Sequence, residues 1–182
     1  MRLSPQLCVP MSGIFMKKRV ISEYSSFVIL ICIVLFYYFK LNLFAFLLSV
    51  LWYALFGMVG LAFSLSVKRK TKLSDFFLKI TIPITLLPFR KAFYYWTKSV
   101  NLIFTDTESV IKAYEIAVKV DPDNLYTDNN KCMFFSFIAS LLSDSGNKEK
   151  AIQYLERAKQ LPHKEALDDT LKKLEEQITV KR

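Results

Sequence analysis

Between residues 24 and 67 the chain is almost unbroken apolar sequence: SSFVILICIVLFYYF, a single lysine at position 40, then LNLFAFLLSVLWYALFGMVGLAFSLSV. A core helix of an ordinary domain has no need of such a length. A membrane-crossing helix takes roughly 20 apolar residues for a hydrocarbon layer about 30 Å thick. The run therefore predicts a transmembrane helical hairpin over 20–67, with helices at about 20–39 and 43–67 joined by a tight turn at Lys40 and Asn42. Ala54, Gly57 and Gly60 supply small residues where two such helices approach each other. Neither half carries an ionisable residue near its centre, and ion or proton conduction needs such groups. An anchor is the simpler reading.

Charge gives the hairpin an expected orientation. Of the net +9, residues 1–104 hold 13 Lys and Arg against two acids, Glu23 and Asp75, while 105–182 hold 12 against 14. The cations cluster beside the apolar run, at Lys17, Lys18 and Arg19 before it and at Lys68, Arg69, Lys70 and Lys72 after it. The positive-inside rule then predicts a multi-pass protein of the cell membrane with both termini and the C-terminal domain cytoplasmic, and with the lipid bilayer as a partner. The same distribution argues against nucleic-acid binding, because the soluble end is mildly acidic.

The flanks read as follows. Residues 1–19 lack periodicity, contain Pro5, Pro10 and Gly13, and are expected to form a disordered basic tail. Residues 68–104 are basic and aromatic, and Pro83 and Pro88 interrupt them, since proline removes a helix donor and clashes with the preceding turn. Residues 74–82 are predicted as a short surface-lying segment and Pro88 as the first residue of a helix reaching about Ile103. Phe93, Tyr94, Tyr95 and Trp96 then either sit at a lipid headgroup layer or pack on the helices that follow.

From 105 to 182 the punctuation is that of short helices. Thr105, Asp106, Thr107 and Glu108 read as a capping box. A helix to Val120 shows an apolar face at Val110, Ile111, Tyr114, Ala117 and Val118, and Asp121, Pro122, Asp123 and Asn124 stop it. Further helices are predicted from Thr127 or Asp128 to Ser145, from Lys148 to Gln160, and from His163 to about Val180, the last striped by Leu167, Leu171, Leu174 and Ile178. The expected fold class is all-α, and the small 105–182 domain is an array of helix pairs with a C-terminal capping helix.

Residues 135–162 resemble a tetratricopeptide repeat, a helix-turn-helix unit of 34 residues that stacks into a superhelix. Phe135, Ile138, Ala139 and Leu142 stand at the intervals of its first helix, Gly146 at its turn, and Ala151, Leu155 and Ala158 supply the small-large-small pattern of its second. Val110, Tyr114, Ala117 and Pro122 match the second helix of an earlier unit. In that unit's first helix Tyr94 suits the aromatic position, but Thr97, Lys98 and Asn101 depart from the pattern. The resemblance implies protein binding on a concave face lined by the first helices, where Asn129, Asn130, Lys131, Phe134 and Phe137 are candidates. Two units are few for such an array, so it is expected to lean on the aromatic segment, on a second copy in a homo-oligomer, or on a partner.

Catalytic constellations are missing from the sequence. Four glycines build no phosphate loop, and Cys8, Cys32 and Cys132 have neither disulfide-framework nor metal-ligand spacing. The lone His163 reads as a surface residue near a helix start, and Asp168 and Asp169, adjacent on a helix, point in different directions. No catalytic, cofactor-binding or metal residues are assigned, and no enzyme activity is expected. The expected function is a membrane-anchored repeat adaptor that recruits a protein partner at the cytoplasmic surface. The alternative is a small accessory subunit of a membrane transporter or enzyme complex that acts through its hairpin.

Overall fold

The computed structural model describes residues 12–105 and 109–180, without the side chains of 12–23, 54 and 180. The tail over 1–11 and the Asp106, Thr107 and Glu108 portion of the capping box lie outside the described residues. Every regular element among the described residues is helical. The chain divides into two compact units, residues 1–48 and 49–182.

In the first unit α1 spans Ser12–Tyr38, so the predicted tail is helical from residue 12 onward. Helix α1 ends on a Schellman turn in which Leu41 N–H donates to Phe36 O at 2.8 Å and Lys40 takes the left-handed conformation, φ 58°. Helix α2, Asn42–Phe56, follows at once. Phe36 and Phe44 meet across the turn at 6.1 Å.

The expected single helix over 43–67 does not form. Gly57 lies at φ 55°, which ends α2 at Phe56 and starts α3, Val59–Val67, as a separate helix of 9 residues. The break is held by Thr81, whose hydroxyl accepts from Met58 N–H at 3.3 Å and donates to Phe77 O at 2.9 Å. At about 1.5 Å of rise per residue, 15 and 9 residues reach roughly 22 and 14 Å, short of an apolar layer about 30 Å thick. In α1 the apolar part after Glu23, Ser25 and Ser26 runs only from Phe27 to Tyr38, about 18 Å by the same rise. Among the described residues no helix is long and apolar enough to cross a membrane. This overturns the two-span hairpin, the multi-pass placement and the cytoplasmic orientation deduced from it.

Helices α3, α4 (Thr71–Ile80) and α5 (Pro88–Thr105) pack together in the second unit. Val59, Ala62, Leu78, Leu86 and Tyr94 form their shared apolar core. A polar bolt crosses it. Asn101 Nδ2 donates to Ser74 Oγ at 2.8 Å and to Asp75 Oδ1 at 2.6 Å, and Ser74 Oγ donates to Ala62 O at 2.8 Å. Three helices are thereby tied through one amide. The bolt accounts for one departure from the repeat pattern in α5, since Asn101 is spent on α4; separately, buried Thr97 donates to Phe93 O at 2.7 Å within its own helix. The segment read as surface-lying, 74–82, falls in α4 and the turn after it, with Ser74 and Leu78 buried and Phe76, Ile80 and Ile82 exposed.

Helix α6 (Val110–Ala117) pairs with α5, and α7 (Asp128–Asp144) pairs with α8 (Lys148–Lys159). Short loops force each pair into a hairpin. Thr127 caps α7 by accepting from Asn130 N–H at 3.1 Å, and Asn147 caps α8 by accepting from Lys150 N–H at 3.4 Å. Ile138, Ala139, Leu142, Ala151, Leu155 and Ala158 are all buried, the alanines letting the two backbones approach. An aromatic series links the layers: Phe63 of α3 to Trp96 of α5 at 5.6 Å, Trp96 to Phe134 of α7 at 5.6 Å, and Phe135 to Tyr154 of α8 at 6.0 Å. With Tyr94 and Trp96 buried and Phe93 and Tyr95 packed on the cores, the aromatics of α5 serve packing rather than a headgroup layer.

Helix α6 stops at Ala117, before the predicted Val120, because the chain tightens there: Lys119 and Val120 N–H bond back only three residues, and Asp121 then caps a 3₁₀ turn at Pro122–Asn124. The last helix, α9, spans Asp168–Val180 and begins later than predicted. Residues before it are committed to other bonds: Lys164 N–H donates to Asn129 Oδ1 at 3.2 Å, and a 3₁₀ turn occupies Glu165–Leu167. The stripe of α9 is buried at Leu171, Leu174 and Ile178 against α7 and α8.

Candidate functional site

Helix α7 contributes Met133, Ser136, Phe137 and Ser140 to one side of a groove, a spacing of three, four and seven residues that places them on one helix face. The facing wall is the end of the linker and α9, with Leu167, Thr170, Lys173, Leu174 and Gln177. The groove encloses about 380 Å³, within the range of small ligand sites. Phe137, Leu167 and Leu174 make it apolar, and Lys173 and Gln177 put a cation and an amide at its edge. Ser136 adds little donor capacity, since its hydroxyl is already donated to Cys132 O at 2.7 Å.

Of the five residues expected on a binding face, only Phe137 lines this groove. Phe134 is buried between Trp96 and Phe135, at 5.6 and 6.0 Å, and belongs to the core. Asn129 is engaged on both sides, accepting from Lys164 N–H and donating to Met133 Sδ at 3.7 Å. Asn130 lies in the capped first turn, and Lys131 pairs with Asp123 at 3.3 Å. Sequence reasoning missed Met133, Ser136 and Ser140. Their signal was the 3-4-7 spacing with Phe137, which became readable once the opposite faces of α7 were seen to be filled by α6 and α8.

His163, Cys132 and Tyr94 are held by packing and hydrogen bonds away from the groove lining. His163 Nδ1 lies 2.6 Å from Leu161 O and Nε2 lies 2.8 Å from Asp168 Oδ1. The carbonyl first, and the carboxylate second, favour the protonated ring and raise its pKa above the ordinary histidine value. With both nitrogens committed, the ring joins the linker to the start of α9 and is not placed as a base. Burial pushes the Cys132 thiol up, against the lowering effect of the Ser136 hydroxyl, so it stays protonated and unreactive. Burial likewise raises Tyr94. Among the described residues no three His, Cys, Asp or Glu side chains gather in a way that would hold a metal ion. The arrangement offers shape, apolar surface and one edge cation. Comparison with protein-family models, curated proteins and solved structures finds no match for this chain.

Proposed function

We propose that this chain is a non-catalytic helical-repeat adaptor of tetratricopeptide type, which docks a segment of a partner protein in the groove between α7 and α9. One observation carries the reading: α7 and α9, with Leu167 ahead of α9, line a groove of about 380 Å³ with Met133, Phe137, Leu167 and Leu174 as its apolar surface and Lys173 at its edge. Apolar depth with a polar rim is the anatomy of a peptide site. The α7–α8 hairpin supports the repeat assignment, because its small-large-small residues fill the positions where helix pairs of that family meet. The segment that fits has one or two large apolar side chains for the floor and an acidic group for Lys173.

The test is site-specific photo-crosslinking of the full chain in cells. A crosslinking amino acid at Met133 is expected to capture one discrete protein, and capture is expected to fall several-fold with Phe137→Ala or Lys173→Glu. The same probe at Ile152, exposed on α8 and outside the groove, is the control. Equal capture from both positions, or none from Met133, defeats the proposal.

A further inference from the structure

Helix α4 turns two faces to different surroundings. Ser74 and Leu78 are buried against α3 and α5, while Leu73, Phe76 and Ile80 stand exposed at 47%, 54% and 42%. At 3.6 residues per turn those three lie within about 60° of one another, forming one apolar stripe. The loop after α4 extends it with Ile82 and Ile84, exposed at 53% and 85%. This loop is built and not slack: Thr81 and Leu86 are buried on either side of the two isoleucines, Leu87 N–H donates to Leu55 O at 3.0 Å, and the Tyr53 hydroxyl donates to Ile80 O. Five large apolar side chains are thus held outward by a scaffold.

The charges beside them define the kind of surface they fit. Lys72 and Lys79 lie together on one flank of the stripe, roughly 40–120° round the helix from its members at about 100° per residue, and both are exposed. Lys68, Arg69 and Lys70, also exposed, lead into the helix. The sole acid of residues 68–84, Asp75, accepts the Asn101 amide on the inner side. An apolar stripe flanked by cations along one side and at its entry, with the segment's one carboxylate bonded to Asn101, matches a surface that is anionic above and apolar below.

We infer that the outer face of α4, with Ile82 and Ile84, docks on an anionic phospholipid surface, the isoleucines and Phe76 entering the acyl boundary and the lysines meeting the headgroups. The contact is interfacial; nothing in it crosses the bilayer. It is independent of the α7–α9 groove.

The experiment places an environment-sensitive fluorescent amino acid at position 84 of the full chain and adds vesicles of one-third phosphatidylglycerol in phosphatidylcholine, with and without brominated acyl chains. Blue-shifted emission quenched by the brominated lipid is expected. Because each cation near an anionic surface is worth roughly a fewfold to tenfold in partitioning, Lys72→Glu with Lys79→Glu is expected to weaken that response tenfold or more. Reporting from position 84 keeps the readout separate from lipid contact by other apolar segments. Unquenched emission, as when a protein covers this face, overturns the inference. So does quenching that the double charge reversal leaves unchanged.

Discussion

Gly57 lies at φ 55°, and a methyl group added there would sit 2.6 Å from Thr81 Cγ2 and 3.0 Å from Leu86 Cδ2. Backbone strain and overlap act together, so Gly57→Ala is expected to cost about 2–4 kcal/mol in equilibrium unfolding. Gly146, at φ 83° with nothing within 4 Å of the added carbon, isolates the strain alone, and Gly146→Ala should cost only about 1 kcal/mol. The single histidine makes a second residue-scale test simple. A group whose folded pKa is raised stabilises fully below its unfolded value, about 6.5, and loses that contribution as pH climbs through the folded value. Proton NMR of His163 should show the upward shift. Asp168→Asn should lower the folded pKa and flatten thermal stability across that window.

Among elements, the bolt between α3, α4 and α5 makes the sharpest prediction. Asn101→Asp would place a second carboxylate beside Asp75, 2.6 Å from the position the amide nitrogen now holds. Stability at neutral pH should drop by about 3 kcal/mol or more and recover as acid protonates the pair, read by thermal unfolding against pH. Thr127→Ala removes the acceptor for Asn130 N–H and should cost about 1 kcal/mol. The α7–α8 hairpin was legible because every signal is local: a cap at Thr127, Gly146 and Asn147 at the turn, alanines at contact spacing. The break at Gly57 was not, because it depends on Thr81, which is distant in sequence and closes on the turn only in the folded chain. Phe134 and Phe137 carry the same residue type on the same helix, and only the packing of α5 against α7 sends one to the core and the other to the groove.

At the scale of the molecule, residues 49–182 gather their layers around two apolar cores, the larger of which fully encloses Cys132. Alkylation of Cys132, followed by peptide mass mapping, should therefore proceed only as fast as this unit opens, and should quicken in step with the destabilised variants above. Helix α9 is held by the buried Leu171, Leu174 and Ile178 and by an exposed Lys159–Glu175 pair at 2.6 Å, a kind of pair worth at most about 1 kcal/mol in solvent. Yet α9 supplies a whole wall of the groove, so a guest in that groove binds only the fraction of molecules in which α9 is docked. Affinity then becomes a thermodynamic gauge of how firmly α9 is docked. Anything that frays α9 raises the apparent dissociation constant by the lost fraction, and a bound guest returns the same free energy as resistance to fraying.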